Sequence, residues 1–185
     1  MKRRTFIELG LGLSAVAGAA AYGWFSLRPP RAKDFTSLSD AIEYIEALPK
    51  NAFIVSSGYW SAHQIFVHLK QSVDYSMSGF PEQKSELFQN TLGSLAYHLF
   101  KAKGGSTHRL FQPIPGADPL PVRGNTYRAL QSLADSLKQF QQHQDFQPHF
   151  AYGDLSRSQY EIAHLMHINE HFSEIDVVLP PGNKK

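Results

Sequence analysis

The stretch Ser156-Arg157-Ser158-Gln159-Tyr160-Glu161-Ile162-Ala163-His164-Leu165-Met166-His167-Ile168-Asn169-Glu170-His171-Phe172-Ser173-Glu174-Ile175 decides how this chain is read. Ser156 with Gln159 three positions on is a capping box, in which each side chain satisfies a backbone N–H that a helix start leaves open. No proline or glycine follows until Pro180, so the pattern predicts a helix across the whole segment. At about 100° per residue, His164, His167 and His171 fall within about 60° of one another, on the stripe that also carries Tyr160 and Ile175. That stripe faces the core. An imidazole there needs a partner, because burying it unsatisfied costs about 1–3 kcal/mol. Two readings stay open: core-edge histidines bonded to carbonyls or hydroxyls, or His167 and His171, one turn apart, biting one metal ion. The pair alone lacks a third ligand.

Upstream, the same helical period recurs. Thr36 to Leu48 places Leu38, Ala41, Ile42, Ile45 and Leu48 on one face and stops at Pro49. Asn51 to Tyr59 reads as a short irregular connection. Ser61 and Gln64 form a second capping box for a helix to about Ser78, with Ile65, Leu69, Val73 and Met77 as its apolar seam. His68 lies on the inner flank of that seam; Ser72 and Ser76, four and eight residues on, either leave space around its ring or permit close helix packing. His63 faces elsewhere on the same helix. After Gly79-Phe80-Pro81, a third helix over Ser85 to Lys103 is expected to bury Leu87, Phe88, Leu92, Leu95, Leu99 and Phe100, ending at Gly104-Gly105. His98 and His108 read as solvated.

From Ser106 to Gly124 the punctuation by Pro113, Pro115, Gly116, Pro119 and Pro121 enforces a long irregular loop, a lid or one wall of a cleft. A further helix, Asn125 to Gln142, repeats Tyr127, Leu130, Leu133, Leu137 and Phe140 and leads through a second loop to the histidine helix. The fold class is all-α, a bundle of long helices. Leu69, Val73, Leu92, Leu95, Leu130, Leu133, Ile168 and Phe172 are its expected core.

The 185 residues carry a formal charge of +2, but Lys2, Arg3, Arg4, Arg28 and Arg31 crowd the start against the single acid Glu8. The remainder holds 13 basic and 15 acidic residues, with no basic block to follow a phosphate backbone, so nucleic acid is not an expected partner. With no cysteine, any metal must use histidine, carboxylate or water. Residues 1–33 form an address and linker ahead of a single domain over 34–185. Lys2-Arg3-Arg4-Thr5-Phe6-Ile7, followed by the Gly/Ala-rich apolar run Leu9 to Ala21, resembles a twin-arginine export signal. It departs from that pattern in having Lys2 before the pair and Glu8 where lysine is usual. Ala19-Ala20-Ala21 suits cleavage, whereas the apolar run to Leu27 suits an uncleaved anchor, and both stay open. Either implies the twin-arginine export machinery as a partner, the periplasm or outer face of a bacterial inner membrane as location, and membrane contact only through this segment.

In order, the chain presents Gly58-x-Trp60-Ser61-x-x-Gln64-Ile65-x-x-His68-Leu69, Met77-x-Gly79-Phe80-Pro81, Pro113-Ile114-Pro115-Gly116, then Tyr160 and the helix of His164, His167 and His171. Together these resemble the DinB-like superfamily, in its domain-of-unknown-function 1569 branch, over essentially everything after the leader. The resemblance implies a DinB/YfiT-like four-helix bundle with a long crossover connection. It also implies a divalent ion, zinc, nickel or similar, held by one histidine of the second core helix and the pair on the last: His68, His167 and His171, with His164 in or beside the site. Glu170 and Glu174 stand nearby in sequence as second-layer or general-base groups, each off the histidine stripe. Superfamily members with known activity are thiol-dependent transferases or metal-dependent hydrolases, so a metal-dependent reaction on a small-molecule substrate is one expectation. The other is a non-enzymatic exported bundle that binds a ligand or partner and whose histidines are structural. Homodimer and monomer are both left open.

Overall fold

In the computed structural model, which describes residues 34–105 and 110–179, every helical run begins where the sequence supplies a cap. The Ser37 hydroxyl accepts from the Asp40 amide at the start of α1 (Leu38–Ala47). Ser61 and Gln64 close a complete capping box on α2 (Ala62–Ser78). Ser85 caps α3 (Glu86–Phe88), which runs through one π turn (Gln89–Gly93) into α4 (Ser94–Lys103). Asn125 caps α5 (Thr126–Gln142), and Ser156 with Gln159 boxes α6 (Arg157–Phe172). The molecule is mostly helical, and its core is made by four of these helices. Ile42 and Ile45 of α1, Ile65, Phe66, Leu69 and Val73 of α2, Leu130, Leu133 and Leu137 of α5, and Ile168 and Phe172 of α6 share one buried cluster.

Two features depart from the sequence reading. The segment read as irregular contains strand β1 (Phe53–Ser56), which pairs antiparallel with β2 (Ile175–Val178) immediately after α6. The histidine helix therefore ends at Phe172, and Ile175 pairs with Ser56 instead of extending the helix. Four-residue strands separated by more than a hundred residues leave almost no local signature, and only the returning chain supplies the partner.

The second departure concerns the run from Ser85 to Lys103. Leu87, Leu92, Leu95 and Leu99 are exposed, at 76%, 62%, 55% and 42%, and Phe88 stands at the edge of exposure, so Leu92 and Leu95 are not core. The buried stripe is Gln89, Gly93 and Tyr97, spaced by four. These residues dock the helix on the 149–153 loop and on α6. Gly93 allows the approach: a Cβ there would lie 1.9 Å from the Ala151 carbonyl oxygen. The Gln89 amide satisfies what the approach buries, donating to Gln83 Oε1 at 2.7 Å and to the Phe150 carbonyl at 3.2 Å. Backbone proximity plus satisfied amides outweighs burial of leucine at this site, because a leucine stripe would hold the backbones apart.

Asn169 ties the entry of the chain to α6. Its Oδ1 accepts the Phe35 N–H at 2.8 Å and its Nδ2 donates to the Phe35 carbonyl at 2.9 Å, both buried. Among the described residues no helix is long and apolar enough to cross a membrane. The twin-arginine-like segment and His108 lie outside the described residues.

Candidate metal centre

The core face of α2 meets that of α6, and three imidazoles converge between them. His68 and His171 are buried, at 3% and 0% exposure, and His167 is half-buried. One ligand nitrogen from each lies within 4.8 Å of the other two. The closest pair is His68 Nε2 and His167 Nε2, 3.1 Å apart. Ring centroids stand 5.0 Å apart for His68 and His167, 5.0 Å for His68 and His171, and 4.8 Å for His167 and His171. Nitrogens about 2.0–2.1 Å from a tetrahedral ion are about 3.3 Å from one another, so the triad fits one ion with small ring movements. Trp60 walls the inner side, its indole stacked on His171 at 6.1 Å and tilted against His68 at 4.9 Å.

The donor set suits a borderline metal. Imidazole nitrogens bind zinc, nickel and copper well, whereas calcium and magnesium prefer oxygen. Three ligands leave at least one coordination position, and the described surroundings place a cavity beside it. That cavity, of about 430 Å³, is lined by His68, Ser72 and His167 together with Pro113, Ile114 and Pro115 of the long loop. The proline-rich segment is thus a wall of the cleft, and Ser72 lines it too, whereas Ser76 is buried against His164.

His164 does not belong to the triad. Its ring is buried between Phe140, 4.9 Å away and edge-on, and Tyr160, 5.5 Å away and stacked. The Ser76 hydroxyl donates to the Val73 carbonyl at 2.6 Å, so at 3.1 Å His164 Nε2–H donates to Ser76 Oγ. That nitrogen is committed to structure. Burial lowers the His164 pKa to about 3 and keeps the ring neutral. His63 packs away from the triad against Gly124, where a Cβ would lie 2.2 Å from its Nε2. His98 is exposed and lies edge-on to Tyr97.

The two acids near the triad in sequence have different surroundings. Glu170 is buried at 6% exposure, and its charge helps raise the Tyr152 pKa, second to burial, to about 12. Glu174 lies past the helix end with its carboxylate against Gly58, where a Cβ would fall 2.2 Å from Oε2; burial raises its pKa.

Sequence reasoning passed over His149, which lines the same cavity from the loop before α6. Periodicity says nothing about a loop residue. Its one local signal was the company of Phe150, Tyr152 and Gly153, a turn dense in aromatic side chains.

A family model described as "Protein of unknown function (DUF1569)" matches residues 28–177. Neither the curated proteins nor the solved structures give a match.

Proposed function

Because the chain belongs to the DUF1569 family, described as a protein of unknown function, its chemistry has to be read from the site, and we propose a divalent-metal protein acting on a small molecule. His68, His167 and His171 hold the ion, with zinc or nickel the best match to three imidazoles. The observation that carries this reading is the convergence of the three ring nitrogens within 4.8 Å, two of the three residues lining a cavity. A divalent ion so held supplies Lewis-acid polarisation of a carbonyl or activation of water near neutral pH. The residues of the chain do the rest: Trp60 fixes the rings of His68 and His171, and the proline-rich wall narrows access for water. Hydrolysis or group transfer is the reaction class this layout serves. One histidine on the second core helix and two on the last also supports placing the chain in the DinB-like superfamily. The Arg3-Arg4 leader supports export and a periplasmic or membrane-anchored location.

A second reading has its own observation. The 3.1 Å contact of His68 Nε2 with His167 Nε2 is a hydrogen bond if one ring donates and the other accepts, which would make the cluster a structural element of a non-enzymatic binding bundle. Metal analysis separates the two. Protein purified without a metal-affinity tag is expected to retain close to one divalent ion per chain, and His68→Ala, His167→Ala and His171→Ala to lose most of it. His63→Ala is expected to keep it. Retention should also fall below about pH 6, since only neutral imidazole coordinates and free histidine titrates near 6.5. Wild-type protein that takes up no zinc or nickel at neutral pH removes the metal reading.

A further inference from the structure

His149 is held more firmly than a loop residue needs to be. Its backbone forms a two-way antiparallel bridge with Gly153, N–H to carbonyl at 2.8 and 3.1 Å, and Gly153 takes the left-handed φ of +75° that closes the turn. The Ala151 and Tyr152 amides, at 3.2 and 3.1 Å, both donate to His149 Nδ1. The ring is stacked on Tyr152 at 4.2 Å and 8°, and Phe80 meets it edge-on at 5.0 Å. From outside, the Gln89 amide of the π turn binds the neighbouring Phe150 carbonyl.

This cage fixes the tautomer. A nitrogen that accepts two amide protons cannot carry one itself, so the single proton of the neutral ring is on Nε2. Burial, then the nearby His164, lowers the His149 pKa to about 3, in keeping with that assignment. The ring, which lines the cavity, therefore carries one fixed N–H donor. Lys84 lines the same cavity and is the only formally charged side chain among the described residues of its wall. Its backbone N–H donates to the Phe150 carbonyl at 2.8 Å, which joins the lysine to the His149 loop. No carboxylate belongs to that wall among the described residues, and Phe150, Ala163, Met166 and Ile114 make much of the remainder apolar.

We propose that the cavity beside the histidine triad is a carboxylate-binding pocket, in which His149 Nε2–H and Lys84 Nζ take the anionic end of a compact, otherwise apolar ligand. Two donors, one of them cationic, give charge-assisted hydrogen bonds to a carboxylate, and the apolar wall rewards the rest of the molecule for leaving water. The proposal rests on the metal-centre reading only for what lies at the other end of the ligand, so it names the substrate class of that site.

The test compares 3-phenylpropionate with 3-phenylpropanol, matched in shape and differing in the anionic group. Binding is measured by calorimetry on zinc-loaded protein and on chelator-treated protein at pH 7. The carboxylate is expected to bind at least tenfold more tightly in both forms. Lys84→Gln and His149→Phe should each cut that preference severalfold, and the double variant should abolish it. A fold-independent readout comes from 15N-labelled imidazole: the His149 Nε2–H resonance should shift with 3-phenylpropionate and stay still with 3-phenylpropanol. Equal affinity for the two probes, no binding of either, or an unchanged preference in both single variants overturns the proposal. Failure of the metal reading looks different: no ion is retained, yet the carboxylate preference survives in chelator-treated protein.

Discussion

His164 and the triad show how one helix face uses the same residue type for opposite purposes. His164 has an aromatic sandwich and a serine that commits its Nε2–H, whereas three and seven residues on, the rings converge with His68 on one another. The His164 pKa of about 3 lies below the unfolded value near 6.5, so the unfolded chain binds the proton more readily. Its contribution to stability is thus fully present above pH 6.5 and is lost as pH falls toward 3, at about 1.4 kcal/mol per pH unit. Urea unfolding between pH 7 and 4.5 should show this decline, and His164→Gln, neutral throughout, should be less stable at pH 7 but flatter. Parallel profiles for the two proteins would mean that His164 takes up its proton in the fold as readily as in the unfolded chain. The capped helix starts and the His167–His171 pair were legible in the sequence because both depend on residues within one turn. His149 was not, because its role comes from two amides in its own loop and from a cavity assembled by distant segments.

At the scale of the element, the run Ser85 to Lys103 is where periodicity misled. Its leucines mark the exposed side, while Gln89, Gly93 and Tyr97 dock. Accordingly Leu92→Gln is expected to change unfolding free energy by no more than about 0.5 kcal/mol, whereas Leu133→Ala on α5 should cost about 2–5 kcal/mol. A loss of several kcal/mol for Leu92→Gln would put that face in a core. Gly93→Ala should be the damaging change on this helix, since its Cβ would strike the Ala151 carbonyl at 1.9 Å and push the helix off the loop that cages His149. It should lower the melting temperature by several degrees, roughly the effect of 1–3 kcal/mol in a domain of this size. Melting unchanged from wild type would show that the helix does not rest on that carbonyl.

For the whole molecule, the bundle positions the site, and the twin-arginine-like segment ahead of it carries a separate proposal of export. If Arg3 and Arg4 carry export, replacing both by lysine should strand a fusion reporter in the cytoplasm, and full export of that variant would remove the twin-arginine reading. By itself the sequence determined the helical class, the capped starts of α2 and α6, the apolar seams of α1, α2 and α5, and which histidines share a stripe. Each of these follows from interactions within a few residues or from one period. Only the tertiary structure decided that β1 and β2 pair across the chain, that α4 turns its leucines outward, that His164 serves Ser76 while His167 serves the triad, and that His149 joins the cavity. Those outcomes depend on which backbones approach closely and which polar atoms they leave to be satisfied, and that is settled only when segments far apart in sequence meet.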